Sequence, residues 1–265
     1  MRFLLTLVLF SLCGVAWTAE PSVRAERDTP PIQSGQRVVF LGDSNTYAGK
    51  FIAYLHAGCL FAEKELKNDP RAPRDVEFLN LGLSSETASG LSEPDHPFPR
   101  PCVLDRIDRA LELTKPDVVI ACYGVNDAIY YPFDEGRFAK FKKGIEQICK
   151  KVRKSGAKMV LVTPPPFDAL PVKPTGKLRP KGEEKYAWFA PYENYNEVMT
   201  RYADWERSLL EAKEIDFLVD LNRSIENALS EKRKDKADFT FAKDGVHFND
   251  EGHEQTAVSC VLLFV

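Results

Sequence analysis

The sequence predicts an α/β protein built as a three-layer sandwich, a parallel sheet with helices on both faces. Two observations carry this. Short apolar runs alternate along the chain with longer stretches of helical apolar spacing, the pattern of successive βα units. The chain has 265 residues and no internal repeat, which is enough for one domain with a substantial core.

The elements follow in order. Residues 1–19 precede the fold: Met1-Arg2 gives a short basic start, residues 3–13 are apolar apart from Thr6 and Ser11, and small residues surround Ala16 and Ala19. This is the pattern of a secretory signal peptide cut near Ala16 or Ala19. The apolar stretch is too short for a comfortable transmembrane helix, and Leu12 is a poor neighbour for lipid attachment at Cys13. Residues 20–36 are polar, carry three prolines and read as a linker. The domain then spans 37–265. Strands are expected at 37–41, 76–81, 117–122, 158–163 and 215–220, and helices at 47–67, 103–113, 135–154, 192–213 and 251–265. Two long connections, 84–101 and 164–191, leave from carboxyl ends of strands. Loops of that length in a compact domain, at that edge of an α/β sheet, are candidates to build or cover a site.

Composition narrows the function. Apolar content of 44% and charged content of 28% are those of a globular protein, and a net charge of −3 offers no basic surface for nucleic acid. The lysines of 140–158 and the Lys232-Arg233-Lys234 run read as solvated faces. Signal-peptide cleavage points to the periplasm or the exterior, an oxidising compartment with no stable membrane insertion. It leaves five cysteines, Cys59, Cys102, Cys122, Cys149 and Cys260. The last three sit in apolar periodic segments and read as buried free thiols. No cysteine or histidine spacing suits zinc.

Four segments carry chemistry. Gly42-Asp43-Ser44-Asn45 ends the first strand, which sets Ser44 at the start of a helix with an exposed hydroxyl and a backbone N–H free for an oxyanion. Alone, the tetrapeptide reads as readily as a helix N-cap. Asn80-Leu81-Gly82-Leu83-Ser84-Ser85-Glu86-Thr87 follows the second strand, and its small residues allow a backbone N–H to approach a ligand. Gly124-Val125-Asn126-Asp127 follows the third strand, where the Asn126 amide donates without acting as a base. Asp244-Gly245-Val246-His247 precedes the last helix, and its spacing lets the carboxylate hold one ring nitrogen while the other faces a serine.

Together, and in this order, these segments resemble the SGNH/GDSL hydrolases. The resemblance implies a flavodoxin-like, five-stranded parallel sheet in the order 2-1-3-4-5. It implies ester hydrolysis without metal or other cofactor, by a triad of Ser44, Asp244 and His247. The oxyanion donors it implies are the N–H groups of Ser44 and Ser85 and the Asn126 amide. The second block departs from the family pattern: Ser85 stands where a glycine is usual, and Gly82 is the alternative donor. The G-x-S-x-G elbow of another esterase fold is absent around Ser44. The expected function is an exported serine esterase for short acyl groups, acetyl foremost, on a small-molecule or polysaccharide substrate. Two alternatives stay open, a lipid acyl-hydrolase of the same family and an inert carbohydrate-binding member. Tyr186, Trp188, Phe189, Tyr192 and Tyr195, in or beside the second long loop, suit either loop packing or stacking on sugar.

Overall fold

The structure is a computed structural model that describes residues 30–66, 69 and 72–264. The expected signal peptide and most of the expected linker lie outside the described residues. Five parallel strands, β1 (Arg37–Gly42), β2 (Glu77–Asn80), β3 (Val118–Cys122), β4 (Lys158–Val162) and β5 (Phe217–Val219), form one sheet in the order β2-β1-β3-β4-β5. Around it lie α1 (Ser44–Ala48), α2 (Lys50–Glu65), α3 (Ile107–Thr114), α4 (Glu135–Lys154), α5 (Tyr195–Glu211), α6 (Leu221–Asp235) and α7 (Asp250–Cys260).

Successive strand side chains point to opposite faces, so each strand feeds two cores. Val39, Leu41, Val119, Ala121, Met159 and Leu161 pack with Ile107 of α3, Phe141, Ile145 and Ile148 of α4, and Tyr202 of α5. Val38, Phe40, Val118, Ile120, Val160 and Val162 pack with Phe51 and Leu55 of α2, Ile225 of α6 and Ala257 of α7. This double burial is why the strands are almost wholly apolar.

Three elements differ from expectation. The helix expected at 47–67 is two helices, because Gly49 takes a left-handed φ of 73° and closes α1 after five residues. That break lets α1 angle away from α2 directly below Ser44. The helix expected at 103–113 begins as a 3-10 turn over Val103–Asp105 before α3. Helix α6 was not expected: its buried stripe is thin, Leu221, Ile225 and Leu229, and the rest is polar. Its start is fixed by Asp220, whose side chain accepts the Arg223 N–H.

Register places the site. Phe40 pairs with Asn80 and Gly42 with Cys122, so the loops leaving β1, β2 and β3 emerge at one edge. The long loops lie toward the same edge and meet where Lys185 Nζ is 4.0 Å from Asp95 Oδ1. The five cysteines among the described residues are unpaired, with Cys59, Cys149 and Cys260 buried and Cys102 and Cys122 partly buried. No helix among the described residues is long and apolar enough to cross a membrane.

Candidate active site

The nucleophile turn is built first. Asp43, not Ser44, caps α1: its side chain accepts the Asn45 N–H at 3.1 Å, and its carbonyl accepts the Tyr47 N–H at 2.8 Å. The Ser44 hydroxyl is thereby left free of capping. Ser44 is the first residue of α1, so its N–H lies among the amides that a helix cannot satisfy internally. Burial pushes the Asp43 carboxyl up to about 6, against the hydrogen bond from Asn45 and the nearby His247. A small, mostly apolar cavity lies behind this turn, lined by Phe40, Phe51, Ile120 and Val162, with Asp43 at its polar end.

The residues of the expected triad come together. Ser44 Oγ is 2.9 Å from His247 Nε2, and His247 Nδ1 is 2.7 Å from Asp244 Oδ2. The network assigns the proton on Nδ1, leaving Nε2 to accept from the serine. Asp244 Oδ1 also accepts the backbone N–H groups of Val246 and His247 at 3.0 and 2.8 Å. Burial works against ionisation of Asp244, but these hydrogen bonds outweigh it and hold the carboxyl down at about 2. The Asp244 hydrogen bond in turn raises the His247 pKa above its usual value, more than partial burial lowers it. Gly245 makes the turn possible, with φ at 83° and so little room that a Cβ would stand 2.7 Å from the Asp168 carbonyl.

Asn45 is a site residue to which sequence reasoning gave no role. Its Nδ2 donates to the Val246 carbonyl at 3.0 Å, and its Oδ1 accepts the Phe248 N–H at 3.0 Å. One buried amide therefore brackets His247 on both sides and ties its loop to the turn that carries Ser44. The only sequence signal was its position directly after Ser44.

The opposite side of Ser44 is formed by the loops after β2 and β3. Leu83 donates its N–H to the Gly42 carbonyl at 2.9 Å, which lays the first loop against the nucleophile turn. Gly82 serves that approach: a Cβ there would stand 2.4 Å from the Tyr47 nitrogen. Its own N–H is engaged by Asn80 Oδ1 at 2.9 Å. The Ser85 N–H donates to no protein acceptor among the described residues. Geometry thus favours Ser85 over Gly82 as a donor. Ser85 adopts φ = 66°, the left-handed conformation that a glycine takes freely and another residue enters at a cost of roughly 1–3 kcal/mol. Ser85 thus holds a conformation that a glycine at this position would enter freely.

That shape is held by Asn126 and by neighbours, Tyr130, Arg106 and Tyr123, to which the sequence gave no role. Asn126 Nδ2 donates to the Glu86 carbonyl at 3.3 Å, and Asn126 Oδ1 accepts the Tyr130 hydroxyl at 3.1 Å. Tyr130 thereby sets which end of the amide is the donor, with its second N–H left over. The buried Glu86 carboxylate takes two hydrogen bonds from Arg106, at 2.5 and 2.6 Å, and one from the Tyr123 hydroxyl at 2.6 Å. Asp127 Oδ1 accepts the Ala88 and Ser89 N–H groups at 2.9 and 2.7 Å. Burial raises the Asp127 pKa to about 6, and the hydrogen bonds from Ser89 and Ala88 oppose that rise.

The aromatic residues beside this edge divide in two. Tyr186, Tyr192 and Tyr195 are buried, whereas Trp188 and Phe189 are exposed. Tyr195 supports the site by donating to the Val125 carbonyl at 2.7 Å and stacking on Tyr130.

Solved structures share this architecture. A gut microbial diltiazem-metabolizing enzyme matches with a TM-score of 0.63 and 21% identity over 86% of this chain, which spans 46% of that enzyme's length. A variant of Axe2, an acetyl-xylooligosaccharide esterase from Geobacillus stearothermophilus, matches with a TM-score of 0.59 and 19% identity, over 88% of this chain and 96% of the other. LAE5, an alpha/beta hydrolase enzyme from the metagenome of Lake Arreo in Spain, matches with a TM-score of 0.55 and 19% identity, over 89% and 98% of the two chains. At these identities the likeness is one of fold. None of the curated proteins matches. The GDSL-like lipase/acylhydrolase family model matches residues 40–255. The chain belongs to that family, and so to the carboxylic ester hydrolases.

Proposed function

We infer that the protein is an exported serine esterase that removes short acyl groups, acetyl foremost, from carbohydrate. The observation that carries the esterase reading is the continuous line from Ser44 Oγ through the His247 ring to Asp244, at 2.9 and 2.7 Å. Ser44 Oγ attacks the acyl carbonyl carbon while its proton passes to His247 Nε2. Asp244 stabilises the imidazolium through Nδ1–H. The carbonyl oxygen becomes the oxyanion of the tetrahedral intermediate. It is met by the N–H groups of Ser44 and Ser85 and the Asn126 amide. The intermediate then collapses, the C–O bond to the alcohol breaks, and the alcohol leaves with the proton from His247. Water repeats the sequence on the acyl-serine, with His247 again as base, releasing the carboxylic acid and restoring Ser44.

The carbohydrate reading draws on the openness of the site. The side chains of His247 and Asp244 are more than half exposed, at 55% and 58%. An alcohol that is one unit of a large polymer fits an open edge more easily than a closed pocket. Exposed Trp188, Phe189 and Phe98 on the two long loops offer apolar faces on which sugar rings stack. The Axe2 esterase, similar in fold, acts on acetyl-xylooligosaccharide. Export draws on the signal-peptide pattern of residues 1–19.

The test is a chain-length series of p-nitrophenyl esters, run beside acetate release from acetylated polysaccharides, with Ser44→Ala as control. Rates should peak at acetate, and the control should lose on the order of 10⁶-fold in kcat. A peak at long acyl chains would reject the short-acyl reading, and an active Ser44→Ala would reject the nucleophile.

A further inference from the structure

Loop 84–101 contains a buried ion pair that the reaction as drawn does not use. Arg100 donates from Nε to Glu93 Oε2 at 2.6 Å and from Nη2 to Glu93 Oε1 at 2.7 Å. The two side chains are 2% and 0% exposed. Such a pair is a poor device for stability alone, because removing two charges from water costs about as much as their attraction returns. Apolar residues of similar volume commonly serve as well or better. What apolar residues lack is a directed donor, and Arg100 has one left over. Its Nη1 donates to the Ser85 carbonyl at 3.3 Å, and its guanidinium carbon lies 5.6 Å from the centre of the Tyr130 ring.

Both contacts reach the oxyanion donors. Ser85 is the residue held at φ = 66°, and Tyr130 is the residue whose hydroxyl fixes the Asn126 amide. The two peptide planes that follow Ser85 are each held by their carbonyls, that of Ser85 by Arg100 and that of Glu86 by Asn126. With the plane that follows Ser85 held at its carbonyl, the direction of the Ser85 N–H is set by rotation about that residue, and its left-handed φ of 66° is the angle so held.

We propose that Arg100, locked in place by Glu93, is a positioning residue for the oxyanion hole: it grips the Ser85 carbonyl and backs the Tyr130 ring, and so aims two donors at once. This rests on the esterase reading above. Arg100 touches no reacting atom and acts through Ser85 and Tyr130. Its charge is spent on Glu93, so the fork geometry matters rather than the cation.

The experiment uses the double variant Arg100→Met with Glu93→Leu, because removing one partner alone strands a buried charge. The apolar pair should melt near the wild type. Its kcat on p-nitrophenyl acetate should nevertheless fall about 10- to 100-fold at unchanged KM, less than deleting a donor outright. Adding Ser85→Gly should recover up to about tenfold, since glycine enters the left-handed conformation unaided. Arg100→Lys keeps a cation opposite Glu93 without the fork, and it should show the same loss in kcat. A folded apolar pair with wild-type kcat would overturn the proposal. So would a wild-type rate in Arg100→Lys, or a loss confined to KM. If the wild type itself releases no p-nitrophenol and Ser44 takes no fluorophosphonate label, the esterase reading fails and the Arg100 proposal falls with it. If the wild type is active and labelled while the variants match it, only the Arg100 proposal fails.

Discussion

The two sides of Ser44 are built from different materials. The histidine side is open: His247 and Asp244 are more than half exposed, and the buried Asn45 amide ties their loop to the turn that carries Ser44. The donor side is closed: Glu86 and Glu93 are fully buried, each gripped by an arginine fork, and Asn126 is held by Tyr130. The difference suits the roles proposed for each side. A general base must exchange its proton with the departing alcohol and the arriving water, so it gains from access to solvent. An oxyanion hole works by fixed dipoles that need no reorganisation, and those are strongest when rigid and away from water. The largest expected effect lies on the open side. His247→Ala should lower kcat by about 10⁴-fold or more, yet leave the melting temperature within the small range of surface substitutions. Activity close to wild type would remove His247 as the base. A large drop in melting temperature would mean that the open side is structural after all.

The closed side gives the next effect. Asn126→Ala should lower kcat by about 10²–10³-fold with little change in KM, because the lost hydrogen bond is made mainly in the transition state. It should also destabilise the protein, since the Tyr130 hydroxyl and the Glu86 carbonyl both lose their partner in the interior. Steady-state kinetics and thermal melting on one preparation check both. A rise in KM at constant kcat would make Asn126 a substrate-binding residue and dissolve the contrast.

The two sides also differ in how far the sequence revealed them. The strands could be read because each is a short apolar run, and the resemblance that brought in the order 2-1-3-4-5 rested on short motifs at their carboxyl ends. Ser44, Asn126, Asp244 and His247 were legible because each sits in one of those motifs, within a few residues of a strand or helix end. Apart from the local pairs Arg100–Glu93 and Tyr130–Asn126, the closed side is assembled from residues far apart in the chain. Arg106 reaches Glu86 across 20 residues, Tyr123 reaches it across 37, and Tyr195 supports the β3 loop across 70. No local pattern encodes such pairings. Ser85 was a candidate donor only by alignment to a glycine, and its left-handed φ is a feature that composition does not display. Helix α6 escaped because three buried apolar residues in 15 leave too weak a period to separate a helix from a solvated loop.

The smallest expected effect separates the two sides most cleanly. Asp244 raises the His247 pKa above 6.5, so the ring keeps its proton to a higher pH than a free histidine. Only the neutral ring accepts the Ser44 proton, so kcat/KM should climb with pH along a limb centred above 6.5 and then level off. Asp244, held down at about 2, stays ionised throughout that range and adds no second limb. The ring that gives the limb belongs to the open side, with Asp43 beneath Ser44 the other carboxylate that acts on its charge. In Asn126→Ala the plateau should fall while the limb stays where it is, because that amide touches neither the ring nor Asp244. A limb that moved with Asn126→Ala would show that the donor side sets the charge on His247, and the division between an open relay and a closed hole would not hold.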